Sequence, residues 1–195
     1  MLKAVHSIHE QRIIHGDLKP ANFLFVRGSL KLIDFGIAKA IQNDNTNNIY
    51  RENQIGTLNY MSPEAICDSG TSSLGQRMKC GRVRTNLLAS ELVVLVCCSR
   101  FPILSKPSDI WSLGCILYQM VYGKTPFADL QMIPKLQAIV NPAHKISYPP
   151  TIDEAAIDAI RCCLHRDPND RAPIVGNNGL LNEHRFLNSR RNTDT

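Results

Sequence analysis

The chain lacks most of the features that assign a sequence to a class at a glance. Its seven cysteines include no Cys-x-x-Cys pair, and the adjacent pairs Cys97-Cys98 and Cys162-Cys163 are poorly disposed to chelate, which argues against a zinc module. Buried thiols in a reducing compartment are the expectation instead. No apolar run approaches the ~20 residues that a membrane-spanning helix requires, and Met1-Leu2-Lys3-Ala4-Val5-His6 has no signal-peptide core. No G-x-G-x-x-G occurs anywhere, so no glycine-rich phosphate loop can be read from the chain. Aromatic residues are scarce at 6%, with one tryptophan. The 22 basic and 17 acidic residues leave a net charge of +5, but no tract concentrates the excess, so the signature of a nucleic-acid binder is missing. A hydrophobic fraction of 44% and a charged fraction of 20% lie near the globular average, so 195 residues can build the core of one domain.

What the sequence does contain is a concentrated run of chemistry near its start. Residues His15-Gly16-Asp17-Leu18-Lys19-Pro20-Ala21-Asn22 are followed by two short apolar segments and then Asp34-Phe35-Gly36. An acid, an amide and a second acid thus stand on two turns joined by a hairpin. Phosphoryl transfer needs little more from a protein: a carboxylate that takes the hydroxyl proton, and oxygen donors that hold Mg²⁺ against the phosphates. Asp17 suits the first task. Asn22 and Asp34 suit the second, since Mg²⁺ prefers hard oxygen ligands and keeps several waters. The duller alternatives are that Asp17 caps a turn and that Asp34 ends a strand.

This pattern resembles the protein-kinase signature D-x-x-x-x-N followed by D-F-G, and the resemblance runs on through the chain. Ser62-Pro63-Glu64 stands where kinases carry Ala-Pro-Glu, and Ile55-Gly56-Thr57-Leu58-Asn59-Tyr60-Met61 resembles the substrate-docking stretch before it. Ser108-Asp109-Ile110-Trp111-Ser112-Leu113-Gly114 is similar to the start of the buried central helix of the C-terminal lobe. Arg171 falls where kinases pair an arginine with the glutamate, here Glu64. Within the family, residues 17–24, 30–38, 122–127, 135–144 and 162–168 look like the monopolar-spindle (TTK-type) kinases.

The resemblance implies a mainly α structure of the α+β kinase family, its C-terminal lobe with a small β-hairpin at the catalytic loop. The N-terminal lobe, with its strand lysine and helix glutamate, finds no counterpart in these residues. Residues 1–188 are expected to form a partial kinase domain and 189–195 a frayed tail. The implied activity is Ser/Thr or dual-specificity phosphorylation of protein substrates with ATP and Mg²⁺. Kinetochore or checkpoint proteins are the implied partners, and a nuclear or cytoplasmic site at kinetochores the implied location. No nucleic acid or membrane partner is expected. By this resemblance Asp17 is the base and Lys19 contacts the transferring phosphate. Asn22 and Asp34 hold metal, Leu24 and Ile33 line the nucleotide floor, and Thr57 bonds Asp17 and Lys19. Glu64 with Arg171 is implied to be structural, and Asp109 to hold the catalytic-loop backbone from below. Gly16 departs from the usual arginine, as TTK-type kinases also do in carrying a small residue there, so the activation segment would be stabilised without that bidentate phosphate grip. Thr46, Tyr50 and Thr57 are the hydroxyls available there. A non-catalytic fragment that only binds substrates or partners is the competing reading.

Periodicity places helices near residues 108–121, 129–140, 153–164 and, weakly, 178–187, with a shorter one ending near Gln11. Ile13-Ile14 reads as a short strand. Phe23-Leu24-Phe25-Val26 and Leu30-Lys31-Leu32-Ile33 read as a hairpin about Arg27-Gly28-Ser29. Residues 37–61, polar and Asn-rich, read as a mobile loop. His6 and His9 lie one helical turn apart without a third ligand, so packing or surface roles are expected.

The interval between Glu64 and Asp109, 45 positions, is about twice what the resemblance implies. Its middle, residues 87–98, is apolar on every side, interrupted by Glu91, and too short to span a bilayer. We expect residues 83–106 to be translated intron: a valine codon begins GT, as a splice donor does, and Lys106 can be AAG, ending in an acceptor AG. Removing these 24 residues keeps the frame and shortens the interval to 21. A genuine loop insertion is the alternative, because loops lengthen cheaply.

Overall fold

The computed structural model describes residues 1–34, 39–40, 55–67, 105–151 and 153–188. The expectations concerning Thr46, Tyr50, Phe35, Gly36, the tract 87–98, nearly all of 83–106 and the tail 189–195 lie outside these residues.

In chain order come α1 (Leu2–Glu10), β1 (Ile13–Ile14), a 3₁₀ turn (Pro20–Asn22), β2 (Phe23–Val26), β3 (Ser29–Leu32) and β4 (Lys39–Ala40). A 3₁₀ stretch (Ile55–Tyr60), α2 (Pro63–Cys67), α3 (Lys106–Tyr122), α4 (Met132–Val140), α5 (Glu154–Cys163), another 3₁₀ turn (Pro168–Asp170) and α6 (Arg185–Asn188) follow. The four strands form two antiparallel pairs, β1 with β4 and β2 with β3. Among the described residues, no helix is long and apolar enough to cross a membrane.

The central element is α3. Ser105 begins it: the Ser108 N–H donates to the Ser105 carbonyl at 2.9 Å, Ser105 N–H returns to Ser108 Oγ at 3.3 Å, and Pro107 sits in the first turn, where a missing N–H costs nothing. Left-handed Gly123 ends it, donating to the Gln119 carbonyl at 2.8 Å. Most of its first turns are buried on every side, including Asp109, Ile110, Trp111, Cys115 and Ile116. A helix with core all round it needs no polar face.

Two apolar clusters meet on α3. Trp111, Cys115 and Tyr118 pack with Phe127, Leu136, Ile139, Ile160 and Leu164 on one side. Ile110, Leu113 and Ile116 pack with Val5, Leu18, Phe23, Ile174 and Leu180 on the other. The second cluster seats α1 and the loop after β1, and so positions residues 15–22. Asp153 caps α5, its Oδ1 accepting the Ala156 N–H at 3.0 Å, and Ile160 and Cys163, one turn apart, join the clusters on α3. The crossing is close at Gly114, where a Cβ would lie 2.6 Å from Cys163 Cβ, so glycine is required there.

Arg166 fastens the end of α4. Its Nε donates to the Ile139 carbonyl at 2.9 Å and Nη2 to those of Ala138 and His144 at 3.1 and 3.0 Å. These carbonyls belong to the turn and loop that a helix C-terminus leaves without intrahelical donors. The guanidinium also lies between the Trp111 and Phe127 rings, 5.7 and 5.6 Å from their centroids.

Candidate active site

The loop from His15 to Asn22 is shaped by bonds from within and from below. From below, the fully buried Asp109 carboxylate accepts three donors: His15 N–H at 3.0 Å and His9 Nε2–H at 2.7 Å on Oδ2, and Gly16 N–H at 2.8 Å on Oδ1. Two backbone amides and an imidazole thus fix one carboxylate, as a buried charge requires. Gly16 has φ of +75°, a left-handed conformation that a side chain would strain. Glycine at this position therefore fits its backbone.

From within, Asp17, itself buried, accepts from Lys19 Nζ at 3.0 Å, and its N–H donates to His15 Nδ1 at 3.3 Å. Lys19 N–H donates to Asn22 Oδ1 at 3.1 Å, while Asn22 N–H returns to the Lys19 carbonyl at 3.0 Å. This reciprocal pair closes the Pro20–Asn22 turn. Asn22 is buried, and its carbonyl accepts the Ile33 N–H at 2.7 Å. That bond continues the β2–β3 register, in which Phe23 opposes Leu32 and Val26 opposes Ser29. The hairpin therefore returns the chain so that Asp34 stands one residue from the partner of Asn22. Asp34 is solvent-exposed with φ of 63°, a conformation sparsely used by residues other than glycine, asparagine and aspartate.

The residues named from sequence are thus placed as follows. Asp17, Lys19 and Asn22 form one hydrogen-bonded chain, and Asp34 follows Ile33, whose N–H is bonded to the Asn22 carbonyl. Leu24 and Ile33 are exposed apolar residues beside it, at 48% and 36% of their full surface. Thr57 lies in the Ile55–Tyr60 stretch, and its side chain is outside the described residues. As to metal, the donors present suit Mg²⁺. Asn22 Oδ1 retains a second lone pair beyond its bond to Lys19, and an exposed carboxylate accompanies it. No group of three or more His, Cys, Asp or Glu side chains able to hold an ion occurs among the described residues. One or two carboxylates completed by phosphates and water is how Mg²⁺ is ordinarily held.

The base under the site is tied by Glu64 and Arg171. Arg171 Nη1 and Nη2 each donate to one Glu64 oxygen at 2.7 Å, and Ser108 Oγ–H donates to Oε1 at 2.8 Å. Burial alone would raise the Glu64 carboxyl, but the Arg171 fork, its charge and the Ser108 hydroxyl outweigh it and hold the group below its ordinary value. The remaining Arg171 donors reach the carbonyls of Pro107, His165 and Arg166.

Sequence reasoning missed His9, whose bond spans 100 positions and carries no local signal. It also missed β4, two residues long, whose Lys39 pairs with Ile14 inside a segment read as loop. The hairpin turn is Arg27–Gly28, with positive φ at both residues, so Ser29 belongs to β3 rather than to the turn.

A family model described as the protein kinase domain matches residues 1–94 and 75–177. The chain is 51% identical over 188 residues to a probable serine/threonine-protein kinase mps1 of Dictyostelium discoideum, covering 96% of this chain and 16% of that protein. It is 46% identical to the dual specificity protein kinase TTK of Mus musculus, over 89% of this chain and 18% of the relative. It is 44% identical to the serine/threonine-protein kinase mph1 of Schizosaccharomyces pombe, over 96% and 26%. The chain thus spans between about a sixth and a quarter of the length of these relatives.

Proposed function

The chain belongs to the protein kinase family, and from that premise we propose that residues 1–188 are the C-terminal lobe of a TTK-like kinase domain. The intact protein would transfer the γ-phosphate of ATP to protein hydroxyls, as a Ser/Thr or dual-specificity enzyme. The observation that carries this reading is the bonded chain Asp17–Lys19–Asn22, together with the Asn22–Ile33 bond that brings Asp34 alongside.

In this reading Asp17 accepts the proton of the incoming hydroxyl. Lys19, which leans on Asp17, directs its ammonium toward the phosphoryl group as a point charge. Asn22 and Asp34 hold Mg²⁺, which when bound neutralises charge on the phosphates. Leu24 and Ile33 give the nucleotide an apolar floor, and Thr57 engages Asp17 and Lys19 when substrate is present. By resemblance to the mps1 and TTK relatives, kinetochore and checkpoint proteins in dividing cells are the partners we propose. Residues 83–106 are proposed to be intron-derived, and transcripts that never lack this stretch would refute that.

A second reading is a non-catalytic docking module, since the 195 residues taken by themselves hold no G-x-G-x-x-G. The loss of a single phosphate clamp costs a kinase orders of magnitude in rate. One experiment separates the two. The chain is assayed for transfer of radiolabelled phosphate alone and after fusion to the N-terminal kinase lobe of the Dictyostelium relative. We expect no incorporation by the chain alone, and incorporation by the fusion that Asp17→Ala abolishes. A folded fusion without activity would leave only the docking module. Robust incorporation by the chain alone would overturn the account of the missing clamp.

A further inference from the structure

The stretch Ile55–Tyr60 leads into Ser62-Pro63-Glu64 as a run of 3₁₀ turns. Such turns have poor hydrogen-bond geometry and rarely hold their shape over more than three or four residues by themselves. Just beyond it, Met61 N–H donates to the Leu58 carbonyl over a long 3.4 Å. A run of this length gains from an outside hold.

Three side chains supply it. Ser112 Oγ–H donates to the Tyr60 carbonyl at 2.8 Å, and Gln119 Oε1 accepts from the Tyr60 hydroxyl at 2.7 Å. Ser112 and Gln119 are seven residues apart on α3 and so share one face. From α4, Lys135 Nζ donates to Asn59 Oδ1 at 2.7 Å. That is the one charge-assisted bond of the three and the strongest in kind. Neither Gln119 nor Lys135 belongs to the apolar packing of its helix, which rests on Trp111, Cys115, Leu136 and Ile139. The chemistry therefore faces the stretch, while the core is held by other residues.

We propose that Lys135 and Gln119 are positioning residues for peptide docking, acting through Asn59 and Tyr60 to set the shape of residues 55–61 from the helical base. This deepens the kinase reading and rests on it, since only there do residues 55–61 receive a substrate. These base-side bonds hold the stretch directly to α3 and α4.

The test uses the whole 195-residue chain, ¹⁵N-labelled and titrated with a twelve-residue peptide carrying a central threonine. The amide signals of residues 58–61 are followed to millimolar peptide. Lys135→Met and Gln119→Met should each weaken binding roughly threefold to tenfold, with melting temperatures close to that of the unmodified chain. Lys135→Arg keeps a donor and should bind like the unmodified chain. Asn59→Ala combined with Lys135→Met should be no worse than either alone. Unchanged affinity in the Met variants, or an Arg variant as weak as the Met variant, overturns the positioning role while leaving the docking reading intact. If no signal from 58–61 moves in the unmodified chain, docking itself fails, and this inference with it.

Discussion

Removing Arg171 should be among the most damaging single changes in the described fold. The guanidinium makes a bidentate contact with Glu64 at 2.7 Å on each arm and donates to three backbone carbonyls. It also lies 5.2 Å from the ring centroid of Trp111. Arg171→Met leaves the buried Glu64 charge with Ser108 as its remaining side-chain donor. Breaking a buried pair from one side costs about 3–5 kcal/mol, because an uncompensated charge stays behind. For a chain of this size that is a fall in Tm of about 6–20 °C. Trp111 is the sole tryptophan and is completely buried beside the pair, so its fluorescence during urea unfolding reports the event directly. Glu64→Gln should cost less, about 1.5–3 kcal/mol, since the amide still accepts but carries no charge. Adding Glu64→Gln to Arg171→Met should then recover part of the loss, because no charge is stranded. An Arg171→Met cost below about 1 kcal/mol, or a double variant whose cost is the plain sum of the two, would refute the reasoning.

Acid should act through the same pair. The Glu64 carboxyl is depressed in the folded chain, so its stabilisation is complete above the ordinary value of 4.5 and is lost as pH falls through the lower folded value. Urea midpoints measured from pH 7 to pH 3 should therefore drop below about 4.5 and do so less steeply in Glu64→Gln. Asp109→Ala should strand the His15 and Gly16 amides and the His9 ring, costing about 3 kcal/mol or more. Hydrogen exchange at those two amides should quicken ahead of global unfolding. Burial pushes the Cys163 thiol up to about 12, with neighbouring Cys162 adding to it, and burial raises Cys115 strongly as well, with Cys163 adding to it. Neither should react with iodoacetamide at pH 8 until the chain unfolds, and mass mapping of alkylated peptides checks this.

Much of this arrangement was legible from residues alone, and the exceptions have a common cause. The helix read near 108–121 is observed as Lys106–Tyr122, and that near 153–164 as Glu154–Cys163, because Ser105, Pro107 and Asp153 are local start signals. The helix expected from 129 starts at Met132, after a turn that includes the Lys124–Asp129 pair. Of the weak helix at 178–187 only α6 is present, preceded by turns around Gly179. The spacing Asp17…Asn22…Asp34 was readable because those residues sit on one continuous loop and hairpin. The role of His9 was not, nor that of Lys135, because their partners are 100 and 76 positions away and leave no trace in local pattern. The Asp109 brace was anticipated only through family resemblance, for the same reason.

That long reach has a consequence for how the chain comes into being. The loop carrying Asp17 leaves the ribosome first, yet the carboxylate that braces it is synthesised more than ninety residues later. At about 5–20 residues per second the nascent segment waits several seconds, unbraced, before Asp109 is made. Until then α1 and the hairpin, with Phe25 80% exposed, offer a greasy, unfinished surface to anything nearby. We therefore expect yields in cells to track chaperone supply, and premature stops before residue 109 to leave only insoluble product.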